Sequence, residues 1–176
     1  LVALGDVQAA LANSERALEL SRDIKDPQSL HPALKFRATS LLFAGRRGEA
    51  EELVDELLAA RPQLNEWWFH DLPWLVLDLG REAEYLEQAK TAPGTLWLQA
   101  GAAVAEHDFA AAAALYERIG ARGDEAVARL HTAELLAVEG RRAQADEELA
   151  KAQAFFEAQG AEAYLPRCEA LLAAAS

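Results

Sequence analysis

The sequence predicts an all-α fold: a superhelix of about ten helices, arranged as antiparallel pairs in one domain over residues 1–176. The first reason is composition, because 40 of the 176 residues are alanine and only 6 are proline. Alanine is the best helix former, and its small side chain lets helices pack closely. The second reason is that apolar residues recur at helical spacing along the chain. The third is a turn-and-helix unit that occurs five times.

The helical pattern is interrupted at short turns, and these define the individual elements. Pro27 and Pro62 stand where helices begin, Thr95 and Asp124 have the side chains of N-caps, and Gly160 suits a C-cap. We predict helices near residues 6–24, 28–44, 47–60, 64–79, 81–91, 95–106, 108–119, 124–138, 141–158 and 161–174.

The five repeated turns align on Gly5, Gly45, Gly80, His107 and Gly140. The fifth residue after these positions is usually small: Ala10, Ala50, Tyr85, Ala112 and Ala145. The ninth is mostly apolar: Ser14, Val54, Ala89, Tyr116 and Leu149. In the preceding helices, apolar residues stand four positions before the turn: Leu41, Val76, Ala103 and Leu136. These offsets lie on one helical face, so we expect them to form the core between paired helices.

The segment from Leu41 to Ala50, followed by Pro62, resembles a tetratricopeptide repeat. Gly45, Ala50 and Pro62 fall where that repeat places its glycine, alanine and proline. The first helix departs from the family pattern, since Leu34, Arg37 and Leu41 stand in place of its Trp, Leu and Tyr. The resemblance implies antiparallel helix pairs stacked in a right-handed superhelix with a concave binding surface.

The last third of the chain, with segments such as 108–112, 116–120 and 139–145, is similar to the C-terminal repeats of multidomain bacterial signalling proteins. Such proteins carry a nucleotide cyclase or another output domain and a signalling ATPase, and LuxR-type regulators of the MalT kind end in similar repeats. The likeness implies a non-catalytic interaction or regulatory scaffold module of a larger signalling or transcription-regulating protein. Its partner would be another protein or other domains of its own parent chain.

Charge and composition exclude several classes of partner. The formal net charge is −12, which repels phosphate backbones and anionic lipids, so we expect no nucleic acid and no membrane. No apolar run reaches the ~20 residues that a membrane span needs. The single cysteine, Cys168, suits a reducing compartment, and we expect a cytoplasmic protein.

The chain begins at Leu1 and contains no methionine, and we interpret it as a piece of a longer protein. A cut through a superhelix would expose the apolar face of its first helix. We therefore expect Val7, Leu11 and Leu18 to be accessible, and self-association through this N-terminal end.

Patterns of catalytic or metal-binding residues were not found. No glycine-rich phosphate loop and no nucleophile elbow occurs. The four histidines show no i,i+4 pair, and the many carboxylates read as solvated helix faces. We expect no enzyme activity, no cofactor and no metal.

The candidate contact residues are aromatic side chains and an arginine doublet. Trp67, Trp68 and Trp74 stand close together and Trp97 follows, so that some rings would line a groove or an interdomain contact. An alternative function is small-molecule sensing in an aromatic-lined pocket between helices. Arg46 and Arg47, like Arg141 and Arg142, could bind an acidic partner, although we favour capping of the preceding helix.

Some repeat domains of this class grip a peptide carboxylate with Lys, Asn and Arg side chains of their first helices. The aligned positions here are Lys35, Thr39, Leu130 and Glu134. Only Lys35 fits that pattern, so we do not expect this mode of binding.

Overall fold

The computed structural model describes residues 5–59, 72–90 and 94–174. Within these ranges the chain is all-α, with ten helices and no strand. They are α1 (Val7–Ile24), α2 (Pro27–Phe43), α3 (Arg47–Ala59), α4 (Pro73–Leu79), α5 (Glu82–Ala89), α6 (Leu96–Ala105), α7 (Phe109–Ile119), α8 (Arg122–Val138), α9 (Arg142–Gln159) and α10 (Leu165–Ala173). None of the helices described has the length and apolarity to cross a membrane.

Side-chain caps explain where several helices begin. The Asp6 and Asp108 carboxylates accept the N–H groups of Ala9 and Ala111 at 2.9 and 3.1 Å. The predicted N-cap Thr95 is confirmed, because its Oγ1 accepts the Leu98 N–H at 3.2 Å. The predicted N-cap Asp124 is wrong: α8 begins at Arg122, and Asp124 lies in its first turn. The capping oxygens of Asp6, Thr95 and Asp108 accept hydrogen bonds from N–H groups in the first turn of each helix, which have no carbonyl partner within the helix.

All five aligned turn positions have positive φ. Four are glycines, and the fifth is His107 with φ of 60°. The residue after four of these positions donates its N–H to the carbonyl five residues earlier: Arg46 to Leu41, Arg81 to Val76, Asp108 to Ala103 and Arg141 to Leu136, at 2.8–2.9 Å. This is the Schellman closure, which needs a left-handed residue just after the helix.

The predicted core positions are buried at nearly every repeat. Ala50, Tyr85 and Ala112 are 0% exposed, and Ala10 and Ala145 are at most 5% exposed. The apolar residues four positions before the turns are also buried, from Val76 at 0% to Leu136 at 9%. A helix pair therefore meets along the face that the repeat spacing predicts.

Helices mostly pack against their neighbours in the chain, and a further contact joins distant parts. The ring of Phe43 at the end of α2 meets the ring of Tyr164, just before α10, edge to face at 6.4 Å between centroids. Gly5 also lies against the side chain of Glu162. The turn before α10 therefore lies against both the end of α2 and the turn before α1.

The last helix and the N-terminal apolar face also differ from the predictions. The last helix begins at Leu165 and not at 161, since Glu162 to Tyr164 form a turn. Leu18 is 7% exposed, and Val7 and Leu11 are half-buried, so the expected apolar patch does not lie on these residues. Packing of α1 against α2 covers this face. Self-association of the N-terminal end stays a prediction.

Candidate functional site

A groove of about 500 Å³ lies between α2, α4, α8, α9 and the start of α10. Its walls are rich in rings: Phe36, Phe43, Trp74, Phe155, Phe156 and Tyr164. Ionisable side chains are interspersed among them: Lys35, Asp78, Asp124, His131 and Arg167. The groove combines apolar contact area with a few polar groups, as ligand and peptide sites do.

Helical spacing determines which side chains reach this groove. Lys35, Thr39 and Leu42 recur every three or four residues along α2. The same spacing brings Trp74 and Asp78 of α4 to one face. Each helix therefore contributes a row of side chains on one of its faces, called a stripe below, and these stripes line the groove.

Trp74 is the central residue of the groove. Its Nε1–H donates to Oδ1 of Asp124 on α8 at 2.9 Å. Its ring also lies parallel to those of His131, Tyr116 and Phe109, with centroids 5.5, 6.2 and 6.4 Å away. The half-buried indole thereby connects α4 to α7 and α8.

His131 sits within this ring stack. Its imidazole lies 4.7 Å from the Phe109 ring, and its Nε2 is 3.4 Å from Nη2 of Arg167. Burial, followed by the charge of Arg167, lowers the pKa of His131 to about 4, although Glu134 acts in the opposite direction. The imidazole is therefore neutral near pH 7.

The far wall is formed around Tyr164. Its ring stacks on Phe156 at 4.7 Å and meets Phe43 edge to face. Phe36, by contrast, is 56% exposed, and Lys35 Nζ lies 4.5 Å above its ring. The groove therefore has a packed end at Tyr164 and an open apolar edge at Phe36.

Asp78 supplies a carboxylate near the packed end. The residue is accessible from the groove. Even so, loss of surrounding water raises the pKa of Asp78, and the nearby Arg167 and Arg47 only partly offset this effect. Burial also raises the pKa of Tyr164, and the charge of Asp78 adds to that effect. Both residues line the groove, and the charge of Asp78 acts on the Tyr164 hydroxyl.

The predicted contact tryptophans do not all line the groove. Trp67 and Trp68 lie outside the described residues. Trp74 lines the groove, but Trp97 does not, since it packs edge to face against the Tyr116 ring at 6.1 Å. Only one of the predicted tryptophans among the described residues is therefore a groove residue.

The arginine doublet Arg46-Arg47 has a structural contact, but not the expected one. Arg47 donates to the carbonyls of Asp78 and Leu79 at 2.8 and 2.7 Å, so that it caps the end of α4 and not the preceding helix. Arg46 forms a double hydrogen bond to the exposed carboxylate of Glu49. Tertiary packing brings the C-terminal carbonyls of α4 to Arg47, and sequence spacing alone does not show this contact.

The second doublet behaves alike. Arg142, the first residue of α9, donates to the carbonyl of Leu171 in α10 at 3.1 Å. The second arginine of each doublet thus caps the helix after its own. These contacts give Arg47 and Arg142 a structural role, although the Arg47 side chain is still 54% exposed.

The positions aligned for peptide-carboxylate binding are only half correct. Lys35 and Thr39 line the groove, but Leu130 is 0% exposed and Glu134 binds Arg167. Val127 and His131 take the groove positions of α8, which the sequence analysis missed. Spacing alone could not identify them, because Leu130 and Glu134 are also four residues apart.

Other features offer less chemistry. A depression of about 520 Å³ between α5 and α6 is lined by aliphatic and polar side chains without an aromatic ring. Across the described ranges, no group of three or more His, Cys, Asp or Glu side chains could hold a metal ion.

The chain matches no family model, no curated protein and no solved structure. The likeness of residues 41–50 to a tetratricopeptide repeat therefore stays a prediction from the sequence.

Proposed function

We propose that this chain is a non-catalytic protein–protein interaction or regulatory scaffold module, part of a larger signalling or transcription-regulating protein of the cytoplasm. Its aromatic groove would bind a segment of a partner protein or of another domain of the parent chain. The observation that carries the proposal is the open edge of the groove, where Phe36 is 56% exposed beside the half-buried Trp74.

Large rings on an accessible concave wall suit a binding surface. Aromatic side chains bury a large area on contact and dominate the energy of many interfaces. Here Trp74 is held by Asp124 and by its stack on His131, so little side-chain freedom would be lost on binding. The repeated helix pairs support the same interpretation, because their usual role is contact and not catalysis.

Selection from a random dodecapeptide phage library tests this function. Purified protein is compared with Phe36→Ser, which removes the exposed ring, and with Leu20→Ser, a control at a leucine that is 44% exposed on α1. We expect enriched peptides whose affinity falls about tenfold or more in Phe36→Ser, equivalent to ~1.4 kcal/mol, and stays unchanged in Leu20→Ser. Peptides that bind all three proteins equally would place binding outside the groove.

A second candidate is small-molecule sensing, which the size of the groove favours. Ligand pockets commonly measure ~300–1,000 Å³, and this groove measures about 500 Å³. Ligand-observed NMR with an aromatic fragment library separates the candidates. Fragments displaced by a selected peptide would show one shared site, whereas fragment binding without any enriched peptide would favour the sensor.

A further inference from the structure

Some charged side chains around the groove have hydrogen-bond or ion-pair partners within the protein. The guanidinium of Arg167 binds both carboxylate oxygens of Glu134, with Nε and Nη2 at 3.0 and 2.7 Å. The Asp124 carboxylate accepts the Trp74 indole N–H. One anionic and one cationic group of the groove therefore already have partners.

Asp78 is different. Arg47 donates to the backbone carbonyl of Asp78, but the guanidinium of Arg47 forms its ion pair with the Glu51 carboxylate, at 2.9 Å. Within the described ranges, the Asp78 carboxylate accepts no hydrogen bond and forms no ion pair. The residue is exposed to the groove, and its surroundings raise the pKa of its carboxyl group. An accessible carboxylate that accepts no hydrogen bond can pair with a cation that enters the groove.

The surroundings of Asp78 suit the stem of a basic side chain. Trp74 lies one helical turn before it on α4, and Tyr164 is near enough for its pKa to respond to the Asp78 charge. Aromatic faces attract ammonium and guanidinium groups, and they also cover the aliphatic stems of lysine and arginine. The net charge of −12 would favour approach of a basic segment over an acidic one.

We infer that the segment bound in the groove carries an arginine or lysine whose cationic group pairs with Asp78, next to an apolar side chain that packs on Phe36 and Phe43. This inference rests on the proposed function, because it gives the chemistry of the partner at the same site. Asp78 is the specificity residue, and the rings supply most of the contact area.

Three pools of acetylated, amidated octapeptides test the inference. Each pool has a fluorophore on a neutral linker, one fixed central residue and uncharged residues elsewhere. The fixed residue is arginine, citrulline or glutamate; citrulline has nearly the shape of arginine without its charge. Fluorescence polarisation measures affinity for the unmodified protein, for Asp78→Asn, and for the control Asp23→Asn at an exposed carboxylate of α1 outside the groove. Circular dichroism checks that all three are folded.

We expect the arginine pool to bind the unmodified protein and Asp23→Asn about tenfold more tightly than the citrulline pool, the ratio that ~1.4 kcal/mol of charge-assisted pairing produces. In Asp78→Asn the two pools should bind alike. A preference for arginine that persists in Asp78→Asn, or equal binding of arginine and citrulline by the unmodified protein, overturns the inference.

The outcomes also separate this inference from the proposed function. If the citrulline or glutamate pool binds as well as the arginine pool, and Phe36→Ser abolishes that binding, the groove is a docking site without a cation preference. If none of the pools binds, the cation inference is wrong, and the phage selection alone decides the proposed function.

Discussion

The hydroxyl oxygen of Tyr85 occupies the space beside Gly101 where a side chain would begin, because a Cβ atom at position 101 would lie 2.1 Å from it. Tyr85 is 0% exposed, and its hydroxyl has no hydrogen-bond partner among the described residues. The absence of a side chain at Gly101 thus lets α5 and α6 approach, and the tyrosine fills the space with an unsatisfied polar group.

Gly101→Ala should destabilise the protein, although alanine normally favours a helix. Overpacking against Tyr85 should lower the free energy of unfolding by about 1–3 kcal/mol, measured by urea denaturation. Tyr85→Phe should be neutral, or stabilising by up to ~1 kcal/mol, because it removes the buried hydroxyl. In the Tyr85→Phe background, Gly101→Ala should lower the free energy of unfolding by less than it does in the unmodified protein. Equal destabilisation by alanine in both backgrounds would contradict the contact.

His107→Gly should stabilise the protein. His107 has φ of 60°, which is strained for a residue with a Cβ atom. Glycine relieves that strain, but it also increases the conformational entropy of the unfolded chain, which offsets part of the effect. We therefore expect the free energy of unfolding to rise by ~0.5–1 kcal/mol, measured by thermal or urea denaturation. His107→Ala is the control, since it removes the ring and retains the Cβ. An equal gain in His107→Ala would assign the effect to the ring.

Arg47→Met should lower the free energy of unfolding by about 1–2 kcal/mol, because two carbonyls at the end of α4 lose their donor. Arg46→Met is a matched neighbour whose guanidinium contacts the exposed Glu49 carboxylate. We expect a change within ~0.5 kcal/mol there. Equal effects at both positions in a urea titration would refute the capping role of Arg47.

His131→Phe should make the free energy of unfolding depend less on pH between pH 6.5 and about 4. Burial, with Arg167, lowers the pKa of His131 from 6.5 to about 4 in the folded protein. Between these values the unfolded chain binds a proton and the folded chain does not, so stability falls as the pH drops from 6.5 to about 4. Phenylalanine retains the stack on Phe109 and removes this proton.

Urea unfolding at intervals from pH 7 to pH 4 measures the effect. The free-energy difference between His131→Phe and the unmodified protein should increase in favour of the variant as the pH falls. Burial also lowers the pKa of His31, so the variant should keep part of the acid slope. A difference that is constant over this range would contradict the low pKa of His131.

The repeat pattern could be predicted from the sequence because it is local. Positive φ at His107 follows from its alignment with Gly45 and Gly80, although histidine itself does not indicate it. Burial of Ala50 and Ala112 follows from helical spacing in the same way. Turn geometry and helix faces are properties of a few consecutive residues, which the chain reveals directly.

The composition of the groove could not be predicted to the same extent, since it depends on tertiary packing. Trp74 and Asp124 are 50 residues apart, and the sequence analysis assigned Asp124 to a cap. Asp78 and Arg167 carried no local signal at all. Which stripes of α2, α4 and α8 converge depends on how the helix pairs are rotated against one another, and a period of about four residues does not specify that rotation.

The contact between Phe43 and Tyr164 constrains how such a chain could evolve. In an open stack, a helix pair can be duplicated or deleted, because each pair touches only its neighbours. Here one pair fewer or more would separate the two rings and shift Asp78 and Phe36 away from the opposite wall. The number of helices between the two rings is therefore part of the geometry of the groove, and changes of side chains within the groove would alter that geometry less than the gain or loss of a helix pair.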